Sequence, residues 1–332
     1  MTVAISGPVA FDQLMRFEGR FAEQLLAGSL DSVSLSFLTD DMCVRRGGVG
    51  GNIAYGLAQL GLRPLLVGMV GADAADYVGA LERAGVDTRG LRLSESRHTA
   101  RYVCTTDAAM CQISSFYVGA AAQSHEVSLG EAATAGHAEL AIIAAGDPRT
   151  MREHTRQCRD VGIPFVADPA QQIALLDGPA LRELIEGAAY LVSNEYEFEL
   201  LRAKTGLSAE QLADLVGIRV TTLGARGVEI CRGGADPVRV PVAAVARKAD
   251  PTGTGDAFRA GFFAARHRGL SLELAAQVGS ALAATVLEVV GPQDYTLDVA
   301  DFRARLARSY GTATADAVDD WLRPAAQPVG VA

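Results

Sequence analysis

Short runs of aliphatic and β-branched residues recur along the chain, at 2–6 (TVAIS), 64–70 (PLLVGMV), 139–145 (ELAIIAA), 163–168 (IPFVAD), 189–194 (AYLVSN) and 218–224 (IRVTTLG). Between them lie amphipathic, helix-like segments at 53–60, 73–83, 149–161, 181–186 and 195–205. Strands that alternate with such helices predict a mostly parallel sheet covered on both faces. Residues 228–231 (VEIC) and 237–242 (PVRVPV) then read as an antiparallel pair. Beyond them the chain turns helical, through 256–268 and 272–289.

Two stretches break the alternation. Residues 14–46 follow the first strand without a clear crossover helix and carry SVSLSFL (32–38) and MCVRR (42–46). Residues 98–119 alternate like strands around a turn at Thr106 and Asp107. Together they predict a small antiparallel sheet standing off the main domain; edge strands of the main sheet fit the same pattern. The division expected is a large α/β domain from 1–13, 47–97 and 120–332, with a small β unit from 14–46 and 98–119. The tail 323–332 reads as frayed.

Composition narrows the functions open to such a fold. A chain of 332 residues, 49% of them hydrophobic, can bury a sizeable core, and no apolar run reaches the length of a membrane span. The N-terminus lacks a basic region and a cleavage site, so the cytoplasm is the expected location. A net charge of -9 argues against nucleic acid as a partner, while leaving anionic small molecules open to backbone N–H groups. Cys43, Cys104, Cys111, Cys158 and Cys231 are scattered with no C-x-x-C spacing, which reads as free thiols.

The stretch KADPTGTGDAFRAGF (248–262) holds the densest chemistry. Pro251 ends whatever strand precedes it, and Gly253 and Gly255 permit positive φ or close approach by a ligand. The helix that follows offers unpaired first-turn N–H groups and the positive end of its dipole, an anion site. Asp256 stands where a general base would take a hydroxyl proton during phosphoryl transfer. Alone, the pattern reads better as an ordinary glycine turn and N-cap.

Three further motifs accompany it. GGVGGN (47–52) fails both the dinucleotide and P-loop patterns but offers backbone and Asn52 to a sugar-like ligand. In SNEYEFELL, Asn194 and Glu197 are three apart, suited to water-mediated Mg²⁺ binding or, equally, to a helix cap. TTLGARG, with Thr222, Gly224 and Gly227, suits a nucleotide cradle or a plain hairpin.

GGVGGN, NEYE, TLGARG and DPTGTGDAFRAGF occur here in the order and spacing of the ribokinase-like, phosphofructokinase-B type family of carbohydrate and nucleoside kinases, which the chain resembles from Ser6 to about Gly291. Within that family LMRFEGRF, VSLSFLTDD, HTARYVCTTD, QISSFY and DPAQQ look most like adenosine kinases of actinobacterial type. The resemblance implies a three-layer α/β/α fold with a small β-sheet lid, through which such proteins often form homodimers. It implies ATP and Mg²⁺, with K⁺ as a candidate activator, and transfer of the ATP γ-phosphate to the adenosine 5′-hydroxyl.

Carried onto this sequence, the resemblance makes Asp256 the base and Gly253, Thr254 and Gly255 the anion hole. Asp12, Gly48 and Asn52 would hold the ribose hydroxyls, and Tyr102, Gln112, Phe116, Gln171 and Gln172 would line the nucleoside site. Asn194, Thr222, Gly224 and Gly227 fall on the ATP side, Glu197 belongs to the Mg²⁺ motif, and Asp250 and Thr252 are candidate ligands for a monovalent cation. Pro8, Phe11 and Tyr102 depart from the pattern around base and ribose, which admits another acceptor: inosine, guanosine, cytidine, ribose or fructose. A nucleoside sensor without catalysis is the reading from another class, and the intact Asp256 counts against it.

Overall fold

A strand sends alternate side chains to opposite faces, and in the central strands both faces are buried. Val3 and Ile5 of the first strand enter one hydrophobic cluster and Ala4 the other; Leu66 and Val70 part in the same way from Leu65, Val67 and Met69. Such strands require a helical layer on each side, and the computed structural model, which describes residues 2–24, 36–109 and 111–322, has both. Of the expected elements, the run 32–38 falls largely outside the described residues, as does the tail 323–332.

The strands are β1 (Thr2–Ser6), β2 (Ala10–Arg16), β3 (Asp41–Gly47), β4 (Leu65–Gly71), β5 (Asp87–Ser94), β6 (Ala100–Thr106), β7 (Gln112–Tyr117), β8 (Ala138–Ile143), β9 (Phe165–Ala167), β10 (Tyr190–Asn194), β11 (Ile218–Thr222), β12 (Val228–Arg232) and β13 (Val238–Val240). The helices are α1 (Phe21–Gln24), α2 (Val49–Gln59), α3 (Ala75–Ala84), α4 (Leu129–Ala135), α5 (Pro148–Val161), α6 (Gly178–Ile185), α7 (Glu195–Thr205), α8 (Ala209–Leu215), α9 (Thr254–His267), α10 (Leu272–Leu287), α11 (Val299–Tyr310) and α12 (Thr312–Leu322). Nine strands form one sheet in the order β13-β12-β11-β10-β9-β8-β1-β4-β5. It is parallel from β5 to β11, and the expected antiparallel pair is β12 with β13. Helices α2, α3 and α9–α12 cover one face; α4–α8 cover the other.

Strand β5 was not legible in the sequence. It is an edge, where Arg89 and Arg92 face solvent and mask the apolar period.

The remaining strands form a second sheet in the order β3-β2-β6-β7. Strand β2 begins at Ala10, so residues 10–13, assigned to the large domain from sequence, run in this second sheet. Side chains from both units tie it to the main body, among them Tyr77 on α3, whose hydroxyl donates to the Gly47 carbonyl of β3 at 2.7 Å. Arg101 on β6 donates to Asp73 at 2.7 Å, and Arg45 on β3 donates to the Val290 carbonyl at 2.9 Å and to Asp294. All five cysteines are free. Among the described residues no helix is long and apolar enough to cross a membrane.

Candidate active site

Open parallel sheets gather ligands beyond the carboxyl ends of their strands, near the point where strand order reverses. Here that point is β1, flanked by β4 and β8, and the loop after it meets both the second sheet and the start of α2. The Pro8 carbonyl accepts from the amides of Gly50 and Gly51 at 3.0 and 3.3 Å. Gly48 has φ 85°, and a Cβ there would stand 2.6 Å from Ala10 N and Pro8 O. A Cβ on Gly50 would stand 2.5 Å from the Gly7 carbonyl oxygen. These glycines therefore admit the chain's own backbone, which is what brings Asn52 into the site.

The acid–glycine turn is held from two sides. The Asp250 carboxylate accepts from the amides of Thr252 (2.9 Å) and Gly291 (3.1 Å). Burial opposes its charge, but these bonds from Thr252 and Gly291 outweigh it and hold the Asp250 carboxyl below the usual range. Gly253, at φ 75°, is the N-cap of α9, and a Cβ on it would lie 2.3 Å from Pro292 Cβ. Thr254 turns both its amide (3.2 Å) and its hydroxyl (2.8 Å) back to the Pro251 carbonyl. Of the expected anion hole, Gly253 and Gly255 keep amides with no backbone partner among the described residues, as does Asp256; Thr254 does not.

Asp256 sits in the first turn of α9, half-buried. Asn52 Nδ2 donates to its Oδ2 at 2.8 Å. Burial pushes the Asp256 carboxyl up to about 6, against the pull of Arg259 and Asn52. It is thus ionised at neutral pH and a better proton acceptor than a surface aspartate. One helical turn further along, Arg259 Nη2 donates to Oδ1 of the fully buried Asp168 at 2.6 Å, and its Nε lies 2.5 Å from Oδ2 in an ion pair without hydrogen-bond geometry. Its remaining nitrogen lies under the turn: a Cβ on Gly255 would come 2.9 Å from Arg259 Nη1.

Across the second sheet, register aligns Arg45, Asp12, Tyr102 and Phe116 in a single transverse row on one face. Burial, and then the neighbouring Asp250, raise the Asp12 carboxyl to about 6. A Cβ on Gly47 would meet Asp12 Oδ2 at 2.5 Å, so this glycine also makes room for a site carboxylate. Gln112 shares the face but stands four residues along β7, about 13 Å at strand rise, and its amide donates to Thr106 Oγ1 at 3.3 Å. Phe11 falls on the opposite face, its ring 5.5 Å from Tyr77 and 5.4 Å from the Arg101 guanidinium carbon. The expectation that Phe11 borders the base and ribose is therefore corrected, since adjacent strand residues cannot share a face. Gln171 is exposed and Gln172 half-buried on the single-turn helix Ala170–Ala174; Gln172 Oε1 is buried without a partner among the described residues.

On the far side, Asn194 and Glu197 form a complete capping box at the start of α7, each side chain bonding the other's amide at 2.8 Å. Burial raises the Glu197 carboxyl above its ordinary value. The TTLGARG stretch forms the β11–β12 hairpin, with Leu223 N donating to Gly227 O at 2.7 Å. A Cβ on Gly227, at φ 96°, would meet the Val240 carbonyl oxygen at 2.0 Å. Among the described residues no three acidic, His or Cys side chains converge on a point.

Four residues of this centre escaped the sequence reading: Arg259, Asp168, Gln293 and Tyr77. The first two lie inside quoted motifs, DAFRAGF and ADPA, yet nothing in a sequence pairs positions 91 residues apart. Gln293 is 241 residues from Asn52, to which it is bonded.

The sequence pattern of pfkB family carbohydrate kinases matches residues 10–299. A nucleoside kinase from Burkholderia thailandensis, solved in complex with inosine, is 35% identical, with a TM-score of 0.82 over 93% of this chain and 98% of that one. It has also been solved with ADP and inosine, at a TM-score of 0.80. A nucleoside kinase from Methanothermobacter thermautotrophicus is 30% identical over 80% of this chain and 85% of its own length. That of Methanocaldococcus jannaschii has a TM-score of 0.80 at 25% identity, over 92% of this chain and 98% of that one.

Proposed function

This chain belongs to the pfkB family of carbohydrate kinases, and from that membership we propose that it transfers the γ-phosphate of ATP to the 5′-hydroxyl of a purine nucleoside. The observation that carries the reading is one helix mouth at which a half-buried carboxylate, Asp256, adjoins unpaired main-chain amides. Phosphoryl transfer asks for positioning and charge stabilisation rather than covalent help. Asp256 takes the proton of the attacking hydroxyl, the amides of Gly253 and Gly255 receive the transferring group, and Arg259 adds positive charge beneath them. Asp12 and the second N–H of the Asn52 amide hold the ribose, with Tyr102 and Phe116 beside the base.

The small sheet acts as the lid, excluding water from ATP. Magnesium keeps several waters and binds chiefly through substrate phosphates. In this reading Glu197 reaches the ion through water, with Asn194, Thr222, Gly224 and Gly227 on the nucleotide side. Potassium would sit near Asp250 and Thr252. The outward face of the lid exposes Met42, Val44 and Ile113 (57%, 49% and 46%), which supports a homodimer through that sheet. Light scattering at twice the 34.7 kDa chain mass is the expected result, and a monomer at assay concentration contradicts it.

Adenosine is the acceptor to which the lid segments point, and inosine is supported by the Burkholderia thailandensis kinase at 35% identity. ADP release is to be measured over adenosine, inosine, guanosine, cytidine, ribose and fructose, with and without potassium. A purine nucleoside should lead the sugars in kcat/KM by roughly a hundredfold or more, since a built base site discriminates strongly against acceptors that leave it unfilled. A sugar at the top of the ranking refutes the nucleoside reading. Tight nucleoside binding without any ADP release would favour the sensor.

A further inference from the structure

We propose that Gln293 is a positioning residue: it fixes which way the Asn52 amide faces and thereby keeps Asp256 in its proton-accepting form. The inference rests on the assignment of Asp256 as the base. It starts from a backbone carbonyl, Gly47 O, which accepts hydrogen bonds and never donates them. Tyr77 OH lies 2.7 Å from it, so the tyrosine proton points there. Its oxygen is then left to accept, and Gln293 presents its NH₂ group at 2.5 Å. The same NH₂ lies 2.8 Å from the Asn52 amide and must face its oxygen. Asn52 is left to turn its own NH₂ toward Asp256 Oδ2, at 2.8 Å.

The direction of every bond in this chain follows from the obligate acceptor at its start and agrees with the second acceptor at its end, the Asp256 carboxylate. Tyr77, Asn52 and Gln293 are 1%, 8% and 8% exposed, so water does not readily replace a missing link. Were the Asn52 amide reversed, its oxygen would face the carboxylate oxygen at the same distance. That arrangement is tolerable only with a proton between them, which is the form of Asp256 that cannot act as a base. The loop bearing Gln293 is itself pinned to the acid–glycine turn, through Gly291 N on Asp250 and Pro292 against Gly253. Other charged or titratable groups around Asp256 are Arg259 on its own helix, Asp168 after β9, Asp12 on β2 and Tyr77 on α3; a substitution at Gln293 removes none of these side chains.

The test is the pH profile of kcat/KM between pH 5 and 9 for Q293M, Q293E and Y77F, beside the parent and D256N. With Q293E an acceptor replaces the donor and the Asn52 amide reverses. Its acid limb should move up by about one pH unit, cutting kcat/KM roughly threefold near pH 6.5 and close to tenfold at about pH 5, with recovery by about pH 8.5. Q293M, which adds no charge, should move the limb the same way by roughly half as much, with KM for ATP within about twofold of the parent. Damage that is merely structural lowers the rate at every pH and leaves the limb where it was.

If the Gln293 variants do not fold, Y77F, which removes the start of the directed chain and keeps the ring, carries the same expectation. Folded variants whose limb coincides with the parent's overturn the proposal. The two assignments are separable. A D256N enzyme with near-normal turnover sinks the base itself, whereas an inactive D256N together with unmoved limbs sinks only the role of Gln293.

Discussion

Replacing Asp256 by Asn is expected to lower kcat by roughly two to four orders of magnitude, the range typical for loss of a general base. The substitution is close to isosteric, and the new side-chain oxygen still accepts from Asn52, so the geometry of the turn survives. Stability should hold or rise. Asp256 titrates at about 6 because its surroundings disfavour the anion, so the native state binds its proton more tightly than the unfolded chain does. Linkage then gives the sign: above the ordinary aspartate range, the ionised carboxylate detracts from stability, and an amide removes that cost. A variant that melts no lower than the parent, binds nucleoside and fails to turn over is the expected outcome. Full activity in a folded D256N protein would contradict the assignment. The parent's own rate should fall as pH drops through about 6, where the base becomes protonated.

The second large effect is on stability. Arg259→Met strands Asp168, which is 0% exposed, without its ion-pair and hydrogen-bond partner. Breaking a buried pair by removing one member costs about 3–5 kcal/mol, because the remaining charge stays desolvated. At about 2–3 °C per kcal/mol for a domain of this size, the melting temperature should fall by roughly 6–15 °C. The double variant D168L/R259M replaces both charges by apolar groups and should recover much of that loss. It should not recover activity, since Arg259 Nη1, which a Cβ on Gly255 would approach to 2.9 Å, is proposed to add positive charge at the phosphate site. A double variant that regains stability and turnover together would reduce Arg259 to a packing role.

The sequence laid out the main sheet well, for a physical reason. Strands such as TVAIS and ELAIIAA are buried on both faces, so their apolar runs are uninterrupted, and the helices between them show one greasy side. Edge strand β5 was lost because Asp87, Arg89 and Arg92 dilute that signal. Motifs located the mouth of α9 and Asn52, since glycine requirements and helix starts are local. They did not reveal that Gly48, Gly50 and Gly227 serve close passages of the chain past itself, whereas the helix cap offered by the spacing of Asn194 and Glu197 is present as a capping box. Asp168, Tyr77 and Gln293 remained invisible because partners on different elements leave no spacing to read. Phe11 shows the converse. Adjacent to Asp12 in sequence, it was grouped with the site, although a pleated strand turns neighbours to opposite sides.

Strand β7 lies at the margin of the small sheet and is exposed at all six positions. Among the described residues one flank of its backbone has no strand beside it, and Ile113, Phe116 and Tyr117 supply grease along the way. An open flank of this kind recruits stray strands from other molecules. During purification and storage, then, clumping should begin at this margin while the interior is still intact. A lysine at Ser115, in one transverse row with Val44, should suppress that clumping and would also set a charge in the proposed dimer contact.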